Sequence, residues 1–481
     1  MHLAVILTVT GILLTLFSSM IAMPMLVALW YGEDTHATFA TGFAITLVSG
    51  LLLTLAGRGR RDLRSGDGFL ITVLFYLGLG LFGSIPIYLA DSINASFTDA
   101  AFESLSALTT TGATVIVGLD DLPRSVLFYR QLLQWFGGMG IIVLALAILP
   151  MLGIGGMQLY RAESPGPVKD SKLTPRITET AKALWYLYLG ITLLCALSYW
   201  LAGMTPFDAL CHSFSTVAIG GFSTHDASIG YFDNPAIEMV GIVFMIIAGI
   251  NFGLHFTVLS RKNPILYLQN REVQGYLFML AVVIGIVCLV LLQHPAASDA
   301  PIREGIFQAV SIATTTGFAT TNFSIWPSVA PIILLFAAFA GGCSGSTAGG
   351  IKIIRVLLIY LQGMREIKRL IHPNGVFPIK LGTQKVPDRV IEAVWGFFSF
   401  YVIVFMSMVC VLMMVSDLDF LTAFSAVGAC LNNLGPGLGS VAENYASLSE
   451  PVKWILIFAM LLGRLEIFTL LVLLTPAFWR R

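Results

Sequence analysis

Long apolar stretches alternate with short polar ones along the whole chain. Ten of them, at 3–30, 38–57, 69–90, 128–153, 178–202, 236–260, 273–293, 328–360, 389–415 and 451–478, are long enough for bilayer-crossing helices, which take roughly 20 apolar residues each. The first begins almost at Met1 with no basic stretch before it and outruns a signal-peptide core, so it reads as a permanent span. Between later spans lie four segments too short to cross and rich in Ser, Thr and Gly: Asp99–Thr114, Asp208–Ser223, Glu304–Ala319 and Thr422–Gly437. They align without a gap on Gly112, Gly221, Gly317 and Gly435. Asp99, Asp208, Glu304 and Thr422 each stand thirteen positions before the glycine, where a helix N-terminus favours a cap or a negative charge.

The repeating unit is therefore span, short helix, extended glycine-containing strand, span. The spans that follow carry small residues at comparable places, in Gly137-Gly138-Met139-Gly140, Ala248-Gly249-Ile250-Asn251, Gly341-Gly342-Cys343-Ser344 and Leu462-Gly463-Arg464-Leu465, which permits close helix approach. Irregular backbone at membrane depth is tolerated only where protein buries it or a water-filled path runs past it, so four such strands around a common axis predict a pore. The predicted fold is an all-α polytopic membrane protein with ten transmembrane helices around a pseudo-fourfold pore. An N-terminal two-helix addition (1–57) precedes pore repeats 58–160, 161–262, 263–372 and 373–481.

Composition agrees: of 481 residues 57% are hydrophobic and only 11% charged, which excludes an ordinary soluble domain. The formal net charge is zero, so the placement of charges is what informs. Arg58, Arg60, Arg61 and Arg64, then Arg161, Lys169, Lys172 and Arg176, then Arg261, Lys262 and Arg271, then the Lys352–Arg389 region and finally Arg480 and Arg481 fall in alternate loops. The positive-inside rule makes those loops, and both termini, cytoplasmic. Cys195, Cys211, Cys288, Cys343, Cys410 and Cys430 are scattered through or beside apolar segments without metal-ligand spacing and read as small core residues. No nucleotide-binding glycine fingerprint or catalytic triad is present in a suitable setting, so any nucleotide effect comes through a partner.

A dehydrated alkali cation needs its water oxygens replaced, and rings of backbone carbonyls do this without a full charge that would trap it. Glycine permits the backbone angles required and leaves the axis clear. Threonines 109–111 and 314–316 are placed to add hydroxyl oxygens. The expected ring is Gly112, Gly221, Gly317 and Gly435. Thr111, Gly220, Thr316 and Leu434 lie beneath it, Thr110, Ile219, Thr315 and Asn433 lie one residue earlier again, and Ala113, Phe222, Phe318 and Pro436 lie above.

At these residues the chain resembles the Trk/Ktr/HKT superfamily of potassium and sodium translocating subunits, and within it the bacterial TrkH type. The resemblance rests on the Thr-Thr-Thr-Gly runs at 109–112 and 314–317, Ala218-Ile219-Gly220-Gly221-Phe222, Asn432-Asn433-Leu434-Gly435-Pro436-Gly437 and Gly463-Arg464-Leu465-Glu466. It covers essentially the whole chain, the two extra N-terminal helices included. It implies potassium as the transported ion with no bound organic cofactor, a homodimer of complete pores in the bacterial inner membrane, and a gating ring of cytoplasmic, nucleotide-binding, TrkA-like regulatory subunits. Glycine at all four ring positions implies potassium preference, whereas serine in the first repeat of such proteins admits sodium more freely.

The resemblance also makes the small and hydroxyl residues of Gly341–Gly350, with Gly345, Ser346, Gly349 and Gly350 foremost, an intramembrane gating loop beneath the ring. Arg464, an ionised group deep in the last span, is expected in the cavity there, where it would meter cations and move with the gate. An ion pair with Glu466 is the alternative, but residues two apart on a helix do not face each other. Lys352 reads as a charge at the cytoplasmic helix end. Asp120, Asp121, Asp226 and Asp233 read as solvated loop charges or as cation concentrators at the mouth, and His212 and His255 as packed hydrogen-bonding residues. The basic residues from 352 to 389 suit anionic membrane lipid or the regulatory ring; nothing suggests nucleic acid. Two other function classes stand beside the channel-like one: a secondary cation transporter, proton- or sodium-coupled, and an intramembrane enzyme, which lacks paired catalytic residues.

Overall fold

The computed structural model describes residues 3–57, 65–143, 177–327, 329–382 and 384–480. Residues 58–64 and 144–176, which hold two of the basic loops used above for orientation and the boundaries at 57/58 and 160/161, lie outside the described residues. Among the described residues the regular structure is helical, apart from a two-residue antiparallel pairing of Lys380–Leu381 with Gln384–Lys385.

Six described helices are long and apolar enough to cross a membrane: Leu3–Tyr31, His36–Ala56, Gly68–Tyr88, Ala181–Leu201, Arg271–Gln293 and Asp388–Val415. Most of them are buried over well under half of their window, as lipid-facing helices require, down to 22% for His36–Ala56; Gly68–Tyr88, at 50%, is the most enclosed of the six. Arg124–Val143 carries the fourth expected span as far as the described residues reach.

The other three expected spans are not continuous helices. The sixth is Pro235–Ala248 followed by Phe252–Arg261, bent by 92°. The tenth is Glu450–Arg464 followed by Phe468–Leu474, bent by 116°. The eighth is the helix Val329–Ala340, a non-helical stretch, and the helix Ile353–Ile371. The sequence reading treated the sixth and tenth as unbroken. Asn251 explains the first bend, because its Oδ1 accepts from the Gly253 and Leu254 amides at 2.7 and 3.2 Å and so starts a new helix. At the second, Glu466 and Ile467 both adopt left-handed backbone, at φ 53° and 48°.

The four re-entrant helices are Phe97–Leu108, Pro206–Ala218, Pro301–Ala313 and Phe420–Leu431. Each is buried over most of its length, the first turn of Pro301–Ala313 being the least enclosed. Three of their caps lie three residues ahead of the expected positions, where Ser96, Thr205 and Asp419 accept from the amides of Asp99, Asp208 and Thr422; the third helix starts after Ala300, which offers no side-chain cap. Ser96 and Thr205 also donate back to the Asp99 and Asp208 carboxylates at 2.8 and 2.6 Å, which stabilises the first turn from both ends.

Small residues in the following spans admit the ends of these helices. A side chain at Gly137 would overlap the Leu108 carbonyl, and one at Gly463 would overlap the Leu431 carbonyl. Both carbonyls stand four residues before their ring glycine, so the structure pairs Gly137, not Gly138, with Gly463. The N-terminal addition is tied on by Glu33, whose carboxylate accepts from the Arg124 and Ser125 amides at 2.7 and 3.0 Å.

Gly463→Ala should therefore lower the thermal midpoint of the detergent-solubilised protein, by the equivalent of about 1–3 kcal/mol. Gly190→Ala, in a helix where nothing lies within 4 Å of an added carbon, should leave it unchanged or slightly raised.

Candidate functional site

The four re-entrant helices end alike. Two residues before each ring glycine the backbone turns left-handed, at Thr110 (φ 51°), Ile219 (55°), Thr315 (65°) and Asn433 (52°), and it does so again at Gly112 (81°), Gly221 (75°), Gly317 (86°) and Gly435 (98°). The amides of Thr111, Gly220, Thr316 and Leu434 each donate to the carbonyl five residues back, at 2.8 Å in all four cases. Those of Thr110, Ile219, Thr315 and Asn433 each donate to the carbonyl three back, at 2.9 to 3.2 Å. This is the Schellman helix end, whose left-handed position usually holds glycine. Here it holds three β-branched residues and an asparagine, a conformation that costs energy and persists only where surrounding structure imposes it.

The four strands close into one ring. A side chain at Gly112 would collide with the carbonyl oxygen of Gly220, at Gly221 with that of Thr316, at Gly317 with that of Leu434, and at Gly435 with that of Thr111. Each repeat thus abuts the next and the fourth abuts the first. All four glycines border one cavity of about 280 Å³ on the outer side.

Most of the threonine hydroxyls expected to add oxygens at the ring are engaged in hydrogen bonds within their own segments. Thr109 bonds the Leu105 carbonyl at 2.7 Å and Thr111 at 2.8 Å, and Thr314 pairs with Thr316 at 2.7 Å. Thr110 Oγ1 has no partner among the described residues. What each ring glycine meets across its seam is a backbone carbonyl.

Beyond the ring each strand is tied back to its own half-helix by a different side chain. Glu103 accepts from the Val115 amide at 2.9 Å, and His212 Nε2 pairs with Ser223 Oγ at 2.9 Å. Gln308 donates to the Thr321 carbonyl at 2.9 Å, and Ser425 Oγ accepts from the Leu438 amide at 2.8 Å. In the fourth quarter Asn433 Nδ2 donates to Thr111 Oγ1 and to the Met460 carbonyl, and the Tyr445 hydroxyl donates to the Gly435 carbonyl. The two asparagines that break the glycine-threonine pattern are thus braces, since Asn432 Oδ1 likewise accepts from the Tyr401 hydroxyl.

The 341–352 stretch lies directly on the inner side of the ring. Gly349 N donates to Thr315 Oγ1 at 2.7 Å, Gly350 N to the Asn432 carbonyl at 3.1 Å, and Thr347 Oγ1 to the Val217 carbonyl at 3.0 Å. Its tip therefore touches the ends of the second, third and fourth half-helices. Gly341, Gly345 and Gly350 are left-handed, and so is Lys352. The near end is held by the bend of the sixth span, through Cys343 N to the Gly249 carbonyl at 2.8 Å and Phe252 N to the Gly345 carbonyl at 3.1 Å. Buried Glu272 accepts from the Ser344 amide at 2.5 Å.

Arg464 reaches this loop, its Nη1 donating to the Thr347 carbonyl at 3.2 Å, while Nε and Nη2 have no partner among the described residues. Glu466 pairs instead with Arg355 at 2.8 Å. Lys352 is no simple helix-end charge, because its Nζ folds back onto the Ala348 carbonyl of the loop. Sequence reasoning missed Glu272, which carries no local signal beyond being polar beside an apolar run, and gave Asn251 and Thr347 no individual role although both fall in stretches it singled out.

At the outer mouth most of the acids are engaged. Asp226 accepts from the Gly118 and Leu119 amides, Asp233 pairs with Arg303 at 2.9 Å, and Asp120 pairs with His225 at 2.5 Å. His225 stacks on Tyr231 and lies 3.7 Å from Asp208. Burial lowers its pKa, but the Asp208 and Asp120 carboxylates outweigh that and hold it above the ordinary 6.5. His212 and His255 are packed and hydrogen-bonded, His255 to the Tyr267 hydroxyl and the Ile247 carbonyl.

The family model TrkH, described as a cation transport protein, matches residues 35–481. The chain is 56% identical to the Trk system potassium uptake protein TrkH of Vibrio parahaemolyticus over 99% of each sequence. It is 53% identical to the protein of that name from Escherichia coli K12 over the full length of both. Its structure superposes on the crystal structure of the potassium transporter TrkH from Vibrio parahaemolyticus with a TM-score of 0.92, covering all of both chains.

A histidine whose pKa is raised on folding stabilises fully below its unfolded value and loses that contribution as pH rises through the folded one. The thermal midpoint should therefore fall by roughly 1–2 °C above pH 6.5 on this account, the half-exposed setting limiting the effect. His225→Gln should flatten that slope in melts recorded across the same range.

Proposed function

The chain belongs to the TrkH family of cation transport proteins, and from that premise we propose that it takes up potassium through a carbonyl-lined selectivity filter in a channel-like manner. The observation that carries this is the closed ring, in which each of four glycines lies against the carbonyl that precedes the next one. Alternating left- and right-handed residues turn successive carbonyls toward one side of a strand. In four strands around an axis that presents stacked oxygens to a dehydrated cation. A carbonyl has two lone pairs, so Gly220 and Gly435 can accept from Gln134 and Tyr445 and still face an ion. The half-helix C-termini add partial negative charge at the same place. Sodium is smaller and holds its water more tightly, so a ring fixed at one width discriminates against it.

In this reading the 341–352 loop is the gate, standing beneath the filter with its tip bonded to three of the four quarters. Arg464 holds the loop closed through the Thr347 carbonyl and opposes cation entry with its charge. The protein sits in the bacterial inner membrane with both termini in the cytoplasm, as a homodimer. A nucleotide-binding regulatory subunit on the cytoplasmic side drives the loop away.

Rubidium-86 uptake into proteoliposomes tests both parts. Gly112→Ser, whose side chain has no room beside the Gly220 carbonyl, should reduce the preference for potassium over sodium as competitor about tenfold or more. Unaltered competition in that variant would remove the ring as the filter. Arg464→Ala should raise uptake without any regulatory subunit by about threefold or more, and unchanged uptake would count against the latch. Uptake that collapses on adding a protonophore with the potassium gradient intact would favour the proton-coupled transporter.

A further inference from the structure

Arg130 has no solvent exposure, and it borders the outer cavity one layer above the ring. Its Nε and Nη2 meet Glu103 Oε1 at 2.8 and 2.6 Å, Nη2 also donates to Thr114 Oγ1 at 3.1 Å, and Nη1 donates to the Ser223 carbonyl at 3.4 Å. The guanidinium lies 4.3 Å from the centre of the Phe222 ring. Glu103, equally buried, accepts from Thr114 Oγ1 and from the Val115 amide. One ion pair thus grips the first strand at residues 114–115 and the second at 222–223.

The same helix face continues the grip. Gln131 Nε2 donates to the Phe222 carbonyl at 2.9 Å, Gln134 Nε2 to the Gly220 carbonyl at 2.6 Å, and Gln134 Oε1 accepts from the Phe222 amide at 3.2 Å. Side chains one and four positions on from Arg130 therefore fasten the second strand from 220 to 223. In the third and fourth repeats the brace from the half-helix to its own strand is neutral, made by Gln308 and Ser425. In the second, His212 is joined further out by Asp208, which accepts from Thr224 Oγ1 at 2.8 Å. Among these braces the Arg130–Glu103 pair is the one in which both charges are fully buried and both neighbouring strands are gripped directly next to the ring.

Desolvating two charges is costly, and a hydrophobic pair of similar volume would serve stability as well. What the pair gives is a fixed geometry at the seam where Gly112 meets the Gly220 carbonyl. Selection between potassium and sodium depends on how many carbonyls face the ion and how far they can follow a smaller one inward.

We propose that Arg130 and Glu103 are specificity-determining positioning residues, which keep the seam between the first and second strands from closing around sodium. The proposal rests on the reading of the glycine ring as the filter. Neither side chain touches the ion; both act through the backbone at 114–115 and 222–223.

The test is competition of rubidium-86 uptake by potassium and by sodium in proteoliposomes, for wild type, Arg130→Gln, the double variant Glu103→Gln with Arg130→Gln, and Gly112→Ser. Arg130→Gln alone strands a buried carboxylate and is expected to assemble poorly. The double variant removes both charges while keeping polar side chains, and is expected to elute as a single species with a near-normal thermal midpoint. Its preference for potassium should nonetheless fall about tenfold, with maximal uptake maintained. A double variant with wild-type preference overturns the proposal, because it makes the pair structural only. Should the double variant not assemble, Arg130→Lys decides: it keeps the charge, but one ammonium cannot serve Glu103, Thr114 and Ser223 together. A reduced preference in it supports the proposal and an unchanged one overturns it. If Gly112→Ser also behaves as wild type, the filter reading has failed; if Gly112→Ser loses preference and the pair variants do not, only this proposal has.

Discussion

Four glycines packed against four carbonyl oxygens set the geometry on which everything else in this molecule depends. At each seam there is room for a hydrogen and not for a carbon. That contact fixes how closely the strands approach and therefore the width of the ring. It also fixes how far each half-helix enters the membrane, since the helix runs into the strand through one invariant pattern of two hydrogen bonds. The spans outside must then leave space for the half-helix ends, which is what Gly137 and Gly463 do.

A single chain with four unequal repeats keeps that backbone uniform while its side chains differ. Thr110, Ile219, Thr315 and Asn433 share one left-handed conformation, and each is held there by different surroundings. Ile219 packs with Ala248 and Ala348, Thr315 accepts from Gly349, and Asn433 reaches across to Thr111. The strain of a branched residue in this conformation is offset by contacts from outside the strand. All three of these sets of contacts involve the 341–352 loop or the neighbouring quarter, so ring and loop are built as one body.

The loop in turn is anchored to the other two broken spans. Gly249 and Phe252, at the bend of the sixth, hold its near end, and Arg464 and Glu466, at the bend of the tenth, hold its tip and the helix beyond it through Thr347 and Arg355. Backbone groups freed by a break in a lipid-facing helix must find partners inside the protein. Here three breaks supply one another. A displacement of either segment beyond these bends, Phe252–Arg261 or Phe468–Leu474, reaches the underside of the ring through a few hydrogen bonds.

The sequence alone determined the membrane class, the fourfold repeat and the four ring glycines. Apolar length, in-register alignment and the absence of a side chain are properties that a linear chain displays directly. The interruption at Gly341–Gly350 was legible for the same reason, since ten residues of glycine, serine, alanine and threonine with a single cysteine cannot sustain a lipid-facing helix. Other features were decided only by tertiary structure. The bends at Asn251 and Glu466 lie in apolar runs that read as continuous, because one cap or one left-handed pair suffices to turn a helix and leaves no periodic trace. The hydroxyls of Thr109, Thr111, Thr314 and Thr316 are hydrogen-bonded within their own segments, a pairing set by how each helix end turns. The pairing of Arg130 with Glu103, and of Arg355 with Glu466 in place of Arg464, joins residues 27 and 111 positions apart. Which buried charge meets which is settled by how the repeats close around the axis, a distance that no local pattern encodes.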